Sequence, residues 1–300
     1  MIPFLDIPRR ERLADLAFLA PILVVLAVLL AYPLLYGIDL SLQRTEGFEV
    51  TAFVGIDNYV RALFGDSVFQ RGLVNTVVFT AAAVVLQIGL GLLLAVLLAD
   101  GRRGRVVMQV VFVAPFVLAS VAVGAAWKFL YAPFFGIVPS VASAAGLDAS
   151  TVAPLADPNT ALWAVLVAFL WRFAGFAMVV YLAAIQGIAR EYYEYATLEG
   201  ASAIDRLRRI TWPLLWPQTF AIVVLTTIAT LRTFDMVWIM TAGGPSHATE
   251  TVATDVYTTA FRSLNIGYAQ AMAMILMVVI LVLTAVEYRV LNRRAEAATA

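Results

Sequence analysis

The sequence predicts an all-α integral membrane protein with six transmembrane helices. Hydrophobic residues make up 62% of the 300-residue chain, and the mean hydropathy is +0.90. Both values lie outside the range of soluble globular proteins. The apolar residues also fall into six runs that are separated by polar segments. A soluble domain of this length could not bury so much apolar surface, so the six runs are predicted to lie in a lipid bilayer.

Each run is long enough for a helix to cross the membrane. The hydrocarbon core is about 30 Å thick and a helix rises about 1.5 Å per residue, so a crossing needs about 20 residues. The first run is too long for a signal peptide and lacks a small-residue cleavage site, so we expect it to be retained. The predicted spans are residues 16–36, 72–99, 106–131, 161–186, 218–240 and 267–290.

Local sequence features predict how spans two and three pack. Gly89 and Gly91 lie close together in span two and permit close contact with another helix. Only residues 100–105 separate spans two and three, so we expect these spans to be antiparallel neighbours. Pro115 lies inside span three, which is otherwise expected to be one helix.

The basic residues predict the orientation of the chain, because short cytoplasmic loops are enriched in Arg and Lys. One predicted side carries Arg9, Arg10, Arg12, Arg102, Arg103, Arg105, Arg190, Arg206, Arg208, Arg209, Arg289, Arg293 and Arg294. The opposite side carries only Arg44, Arg61, Arg71, Arg262 and Lys128. Both termini and the segment 190–217 are therefore predicted to be cytoplasmic.

The composition excludes several classes of site. The chain has no Cys and a single His, His247, which excludes disulfides, thiolate metal sites and His-based metal clusters or catalytic triads. A formal net charge of zero with scattered basic residues argues against nucleic acid as a partner. The chain contains no Walker-type Gly-Lys-Ser/Thr sequence, so it is not expected to hydrolyse ATP or to bind a cofactor itself.

The longest charged segment, residues 190–217, predicts a helix–turn–helix elbow. Its acids come first and its bases second: Glu191, Glu194 and Glu199, then Arg206, Arg208 and Arg209. This order favours helix, because acids stabilise a helix N-terminus and bases a C-terminus. Gly200 lies between the two halves and costs about 1 kcal/mol inside a helix, so it predicts a turn. Pro213 and Pro217 are expected to end the second half.

The elbow resembles the cytoplasmic loop of permease subunits of binding-protein-dependent ABC importers. The family pattern is Glu-Ala-Ala, three residues, Gly, then Ile-x-x-Pro and a further Pro. This chain has Glu194-Tyr195-Ala196, Gly200-Ala201, Ile210, Pro213 and Pro217; Tyr195 replaces the usual Ala and Glu199 the usual Asp, with the spacing kept. The alternative is an interfacial amphipathic helix with solvated charges.

The resemblance implies that the elbow is a coupling helix that docks into a groove on an ATPase subunit. The residues that it assigns to this coupling are Glu191, Glu194, Ala196, Glu199, Gly200, Ala201, Ile210, Pro213 and Pro217.

A second stretch resembles the sugar and glycerol-phosphate branch of these permeases, the maltose-type family. The matching residues are Phe234-Asp235, Thr241-Ala242-Gly243-Gly244-Pro245, Thr249-Glu250-Thr251, Tyr257, Ala260-Phe261 and Gly267-Tyr268-Ala269. With the elbow, the resemblance extends from Asn75 into span six. It implies a permease subunit that forms half of the path for a sugar, an oligosaccharide or glycerol phosphate in a bacterial or archaeal cell membrane.

The resemblance also implies the partners. They are a second homologous permease, two ATP-binding subunits that bind ATP and Mg²⁺, and an external solute-binding protein that contacts the turn Gly243, Gly244 and Pro245. The sequence and the resemblance agree on three parts of the chain. Residues 1–71 form the N-terminal segment, first span and external loop; residues 72–290 form a five-helix core; residues 291–300 form a cytoplasmic tail.

Polar residues inside the spans are candidates for the solute path, because charges at membrane depth are costly and usually face a cavity or a partner. Arg232 and Asp235 are three residues apart, so on one helix face they are predicted to pair. Alternatively, they line the path, where Arg232 could bond to a hydroxyl-rich or anionic solute. The candidate path residues are Asn75, Gln87, Trp171, Arg172, Phe173, Arg232, Asp235 and Trp238.

Two other classes compete with the permease interpretation. A self-sufficient secondary transporter or channel usually has acidic residues at mid-membrane and often two repeated halves. Asp235 is the main candidate for such an acid, and it has Arg232 beside it. An integral membrane enzyme would need a reactive cluster, whereas the chain lacks Cys and its only His lies in an external loop.

Overall fold

The first membrane span is one continuous helix that is followed by an external β-hairpin. The computed structural model describes residues 9–99, 104–133, 135–146 and 153–299. The first eight residues and residues 100–103 of the predicted turn 100–105 therefore lie outside the described residues. The elements of this first part are α1 (Arg9–Leu26), a π-helical turn (Ala27–Ala31), α2 (Tyr32–Ser41), β1 (Gln43–Glu46), β2 (Glu49–Phe53), α3 (Asp57–Val60) and a π-helical turn (Arg61–Gly65).

The remaining elements are almost all helical. They are α4 (Ser67–Ala99), α5 (Arg105–Val117), α6 (Ser120–Leu130), α7 (Ile137–Ala144), α8 (Ala161–Gly187), α9 (Arg190–Leu198), α10 (Ala203–Arg206), a π-helical turn (Leu207–Thr211), α11 (Trp212–Leu214), α12 (Trp216–Leu231), α13 (Asp235–Met240), α14 (Val252–Tyr257), a π-helical turn (Thr258–Arg262) and α15 (Ile266–Thr299).

These helices confirm the predicted all-α membrane fold, to which the hairpin β1–β2 adds the two strands found in the described residues. Four helical segments are long and apolar enough to cross a membrane: Phe18–Ser41, Ser67–Ala99, Ala161–Gly187 and Ile266–Arg289. Two bent pairs bring the number to six if each crosses once: Arg105–Val117 with Ser120–Leu130, and Ala203–Leu214 with Trp216–Leu231.

The centre of the bundle is the contact between α4 and α8. A Cβ atom on Gly91 would lie 2.5 Å from Cβ of Ala177, so only glycine permits this approach. Gly89 has no atom within 4 Å of its Cβ position. Of the two glycines predicted to permit close packing, only Gly91 therefore does so. Tyr181 of α8 is fully buried and its hydroxyl lies 2.9 Å from Oγ1 of Thr219 in α12.

Spans three and five are broken, which corrects the expectation of two unbroken helices. The axes of α5 and α6 differ by 104°, and Leu118 and Ala119 between them have extended backbone. In span five, α12 ends at Leu231 and α13 begins at Asp235. Both breaks border the same pocket, which is described below.

Candidate functional site

Helix α9 of the elbow presents its acids to solvent. Glu191, Glu194 and Glu199 are all exposed, and no side chain of α9 is buried. Within the described residues, none of the three lies within 4.0 Å of a basic group, because the one ion pair found there joins His247 to Glu250. The carboxylates of this predicted coupling helix are thus not used by the chain's own fold.

The corner of the elbow has the predicted turn geometry. Gly200 has a φ of +78°, a conformation that L side chains rarely adopt. The amide of Ala201 donates to the Ala196 carbonyl at 2.8 Å, which ends α9. Ser202 and Asp205 then form a capping box that begins α10. Hydrogen bonds from the Ser202 hydroxyl and amide hold the pKa of the Asp205 carboxyl below its usual value.

Two side-chain contacts fix α9 against the second half of the elbow. The hydroxyl of Tyr193 lies 3.0 Å from that of Thr211, and Arg206 donates to Oγ1 of Thr197 at 3.2 Å. Glu194 borders a shallow groove between the halves, which is lined by Arg190, Tyr193, Glu194, Thr197, Leu198 and Arg206.

The two prolines of the elbow do not end its second half as expected. Pro213 and Pro217 each occupy one of the first positions of a new helical segment, α11 and α12 respectively. The missing N–H of proline costs nothing there, because the first N–H groups of a helix have no intrahelical partner. The direction of the chain changes by 67° at Leu215, between the two segments. Ile210 is half-buried within the π-helical turn.

A pocket lies between spans three, four and five. It brings together four of the predicted path residues, Arg172, Phe173, Arg232 and Asp235, and encloses about 190 Å³. The other lining residues were not predicted to line the solute path. They are Ser120, Phe169, Ala229, Thr233, Phe234 and Met236. Phe169 lies one helical turn before Arg172 and Phe173, so their helical spacing could have identified it.

Arg172 stabilises the break in span three. Its Nε donates to the Leu118 carbonyl at 3.1 Å and its Nη1 to the Ser120 hydroxyl at 2.6 Å. Its guanidinium also lies 4.9 Å from the centre of the Phe173 ring. The carbonyl that the break removes from the helix is therefore satisfied by a side chain from span four.

Arg232 and Asp235 do not form the predicted ion pair. They lie on opposite sides of the break between α12 and α13, so the spacing of three residues within one helix does not apply. Both side chains are exposed, and no contact within 4.0 Å joins their charged groups.

The other predicted path residues, Asn75, Gln87, Trp171 and Trp238, do not line this pocket. Asn75 donates to the carbonyls of the external loop at His247, Ala248 and Glu250. Gln87 is buried and bridges the Phe173 carbonyl and the Thr226 hydroxyl. Trp171 packs edge-on against Trp127. Trp238 stacks on Phe234, with Tyr257 and the guanidinium of Arg262 also against its ring.

The external turn at Gly243, Gly244 and Pro245 is stabilised from within its own loop. Gly243 has a φ of +86°, and a Cβ atom on it would collide with the carboxylate of Glu250. The hydroxyl of Thr249 donates to the Gly244 carbonyl at 2.7 Å. Glu250 is buried, and it accepts from Thr254 at 2.6 Å and contacts Nδ1 of His247 at 3.1 Å. Glu250 belongs to the stretch that carries the family resemblance, but its burial was not predicted.

In the described ranges, no group of three or more His, Cys, Asp or Glu side chains has an arrangement that could hold a metal ion.

Comparison with known proteins places these features in a family. Residues 87–296 match the family described as binding-protein-dependent transport system inner membrane component. The chain is 32% identical over 283 residues to the probable ABC transporter permease protein YurN of Bacillus subtilis, which covers 93% of this chain and 96% of the relative.

Some of the relatives have names that state a transported compound, and two of these are from Agrobacterium fabrum. The chain is 30% identical over 277 residues to the sn-glycerol-3-phosphate transport system permease protein UgpA, covering 92% of this chain and 93% of the relative. It is 31% identical over 289 residues to the sulfoquinovosyl glycerol transport system permease protein SmoG, covering 95% and 92%.

Among solved structures, the fold is similar to a chain of a bacterial alginate ABC transporter in complex with an alginate pentasaccharide-bound periplasmic protein. The TM-score is 0.81 at 24% identity, over 95% of this chain and 96% of that chain.

Proposed function

Since the chain belongs to the family of binding-protein-dependent transport system inner membrane components, we propose that it forms half of the membrane path for a carbohydrate-type solute and couples this path to a separate ATPase. The family is one of membrane permeases of ABC importers rather than enzymes. The chain is accordingly a transmembrane permease subunit. We propose, in addition, which partners the chain assembles with, which solute it transports and which residues contact them.

The observation that carries the proposal is the elbow. Its helix α9 has no buried side chain, its acids have no basic partner among the described residues, and its corner is fixed by Gly200 and by the capping box at Ser202. A rigid charged helix whose acids the fold leaves unpaired is suited to contact another protein. We infer that Glu194, at the edge of the groove, accepts a charge-assisted hydrogen bond from an Arg of the ATPase.

The proposed complex contains four kinds of subunit. One six-span chain surrounds only part of a path, so a second, homologous permease is expected to complete it, with two ATP-binding subunits below and an external solute-binding protein above. ATP and Mg²⁺ are bound by the ATPase subunits. The turn Gly243–Pro245 is proposed to contact the binding protein. The chain is proposed to lie in the inner membrane with both termini in the cytoplasm.

The solute class is supported by both the pocket and the relatives. Phe169, Phe173 and Phe234 line the pocket, where aromatic rings can stack on the apolar faces of a sugar. Arg232 and Asp235 provide a donor and an acceptor for hydroxyl groups. UgpA and SmoG are named for the transport of glycerol-phosphate and sulfoquinovosyl glycerol, so sugars, oligosaccharides and glycerol phosphate are the proposed solutes.

Reconstitution tests the coupling to an ATPase. We expect the purified chain to be isolated with a second permease and ATP-binding subunits, and uptake into proteoliposomes to require ATP together with the binding protein. Uptake that is driven by an ion gradient without the ATPase subunits would show instead that the transport is not ATP-coupled.

A further inference from the structure

The pocket between spans three, four and five contains an excess of positive charge. Among its described lining residues, the charged groups are two guanidiniums, those of Arg172 and Arg232, and one carboxylate, that of Asp235. Two positive charges against one negative charge leave one guanidinium without a counter-charge. The position of each group decides which one that is.

Arg172 is already occupied by contacts within the chain. It donates to the Leu118 carbonyl and the Ser120 hydroxyl, and its guanidinium lies over the Phe173 ring. Moving Arg172 onto a ligand would expose the carbonyl at the break in span three. Arg172 therefore has a structural role and contributes its charge to the pocket only at a distance.

Arg232 is the guanidinium that has no hydrogen-bond or ion-pair partner among the described residues. Its side chain is exposed to the pocket, and within the described residues it makes no side-chain hydrogen bond and no ion pair within 4.0 Å. Arg232 directly follows the last residue of α12. This helix has 16 residues, so it separates Arg232 from the elbow by about 24 Å. Arg232 lies within the predicted span five, residues 218–240, where an uncompensated charge is costly.

We propose that Arg232 receives an anionic group of the transported solute. A guanidinium binds a carboxylate, phosphate or sulfonate through two parallel charge-assisted hydrogen bonds, which are stronger than those to neutral hydroxyls. A neutral sugar would leave the charge of Arg232 uncompensated. The inference rests on the proposed function, because it requires that this pocket lies on the solute path, and it narrows the solute to an anionic carbohydrate.

The rest of the pocket fits one ring with one charged group. Phe169 and Phe173 stack with ring centres 4.4 Å apart, and they present an apolar wall to the pocket. Asp235 and the Thr233 hydroxyl provide acceptors for sugar hydroxyls. The volume of about 190 Å³ is below the roughly 300–1,000 Å³ that encloses a drug-sized ligand. A uronic acid, a sugar phosphate or a sulfonated sugar is therefore received one unit at a time.

The alternative is that Arg232 pairs with an acidic side chain of the second permease subunit, which would reach across the path. In that case Arg232 would stabilise the pairing of the two permeases, and removing it would weaken that pairing. The solute would then need no charge, so the two explanations predict different results.

The test uses the complete importer in lipid nanodiscs and measures its melting temperature. The probes are sulfate against chloride at equal ionic strength, and D-glucuronate against D-glucose. We expect sulfate and glucuronate to raise the melting temperature of the wild type, and chloride and glucose to have no such effect. In Arg232→Gln, the apparent affinity for both anions should fall about tenfold or more, because a charge-assisted hydrogen bond is lost. Arg232→Lys should retain part of the response.

Arg44→Gln, in the exposed hairpin, is the matched control and should respond like the wild type. The proposal is overturned if sulfate and chloride give equal melting temperatures in the wild type, if glucose stabilises as well as glucuronate, or if Arg232→Gln responds like the wild type. It is also overturned if Arg232→Gln loses the second permease on purification. Retention of the ATPase subunits is measured in the same preparations and tests the proposed function separately.

Discussion

The two polar segments that adjoin span five use their charges in opposite ways. In the elbow, Glu191, Glu194 and Glu199 are exposed and have no basic partner among the described residues. In the external loop, Glu250 and Asp255 are buried at 6% and 8% exposure. Glu250 contacts Thr254 and His247, and the loop's carbonyls accept hydrogen bonds from Asn75.

This difference separates charges that serve the fold from charges that are free for a partner. A buried carboxylate needs hydrogen bonds within the chain, because leaving it unpaired is costly. An exposed carboxylate with no partner contributes little to stability, so it can be replaced without unfolding the chain. Substitutions in the elbow should therefore leave stability unchanged and reduce function, whereas substitutions in the external loop should first change the stability of the chain.

Glu194→Ala is the largest expected effect and tests the elbow side of the comparison. We expect a wild-type melting temperature for the isolated permease, since Glu194 is exposed and unpaired. Affinity for the ATPase should fall by about 2–5 kcal/mol, the typical cost of truncating one partner of a buried interfacial charge pair. The readouts are co-purification of the ATPase and ATP-dependent uptake.

The control for Glu194→Ala is Glu49→Ala, an equally exposed acid in strand β2 on the other side of the membrane. It should leave both readouts unchanged. Wild-type ATPase affinity in Glu194→Ala would mean that the acids of α9 are only solvated, and the comparison would fail.

Asp255 gives the next effect, a dependence of stability on pH. Burial, with the nearby carboxylates of Glu250 and Asp66, raises the pKa of Asp255 from 3.8 to about 7. The folded state then binds one more proton than the unfolded state between those values, so stability decreases as pH rises from about 4 to 7 and is constant above. We expect a higher melting temperature at pH 5 than at pH 7.5.

Asp255→Asn should remove the part of the pH dependence of stability that comes from this carboxyl, and it should raise the melting temperature at pH 7.5. Asp57→Asn, an exposed acid in α3, should keep the wild-type pH dependence. If the dependence of the melting temperature on pH is the same in Asp255→Asn as in the wild type, the carboxyl of Asp255 is not its cause.

The sequence predicted the elbow better than the pocket, for a physical reason. The corner at Gly200 and the small residues after it are local signals, since the φ of +78° and the capping box at Ser202 depend on neighbouring residues alone. The breaks that form the pocket depend on tertiary contacts. The carbonyl of Leu118 is satisfied by Arg172, which lies 54 residues away.

The same reasoning explains the partial success with the path residues. Charges within apolar runs identified Arg172, Arg232 and Asp235, and all three line the pocket. The predicted pairing of Arg232 with Asp235 was wrong because it assumed that span five is an unbroken helix. The hairpin β1–β2 was not predicted at all, although Gly47, with a φ of +64° at its turn, is the type of residue that such a turn favours.

Asn75→Ala tests the external side of the comparison with a smaller effect. The amide donates to three loop carbonyls, at 3.3, 3.1 and 2.9 Å. Its loss leaves those groups without this donor and should cost about 1–3 kcal/mol. The melting temperature should fall while ATPase co-purification is unchanged. Asn159 has an exposed side chain in another loop. Asn159→Ala should leave both the melting temperature and ATPase co-purification at their wild-type values. Loss of uptake at wild-type stability would instead place Asn75 on the solute path.

Gly200 gives the smallest expected effect on the chain itself and can sharpen the comparison most. Its φ of +78° costs an L residue about 1–2 kcal/mol. No atom lies within 4 Å of its Cβ position, so Gly200→Ala and Gly200→Leu should lower the stability of the isolated permease equally. Any further difference must come from a surface outside the chain. We expect Gly200→Leu to lose ATPase binding and coupled uptake much more than Gly200→Ala. If the two variants are impaired to the same degree, the corner matters through its backbone alone, and the ATPase does not approach it closely.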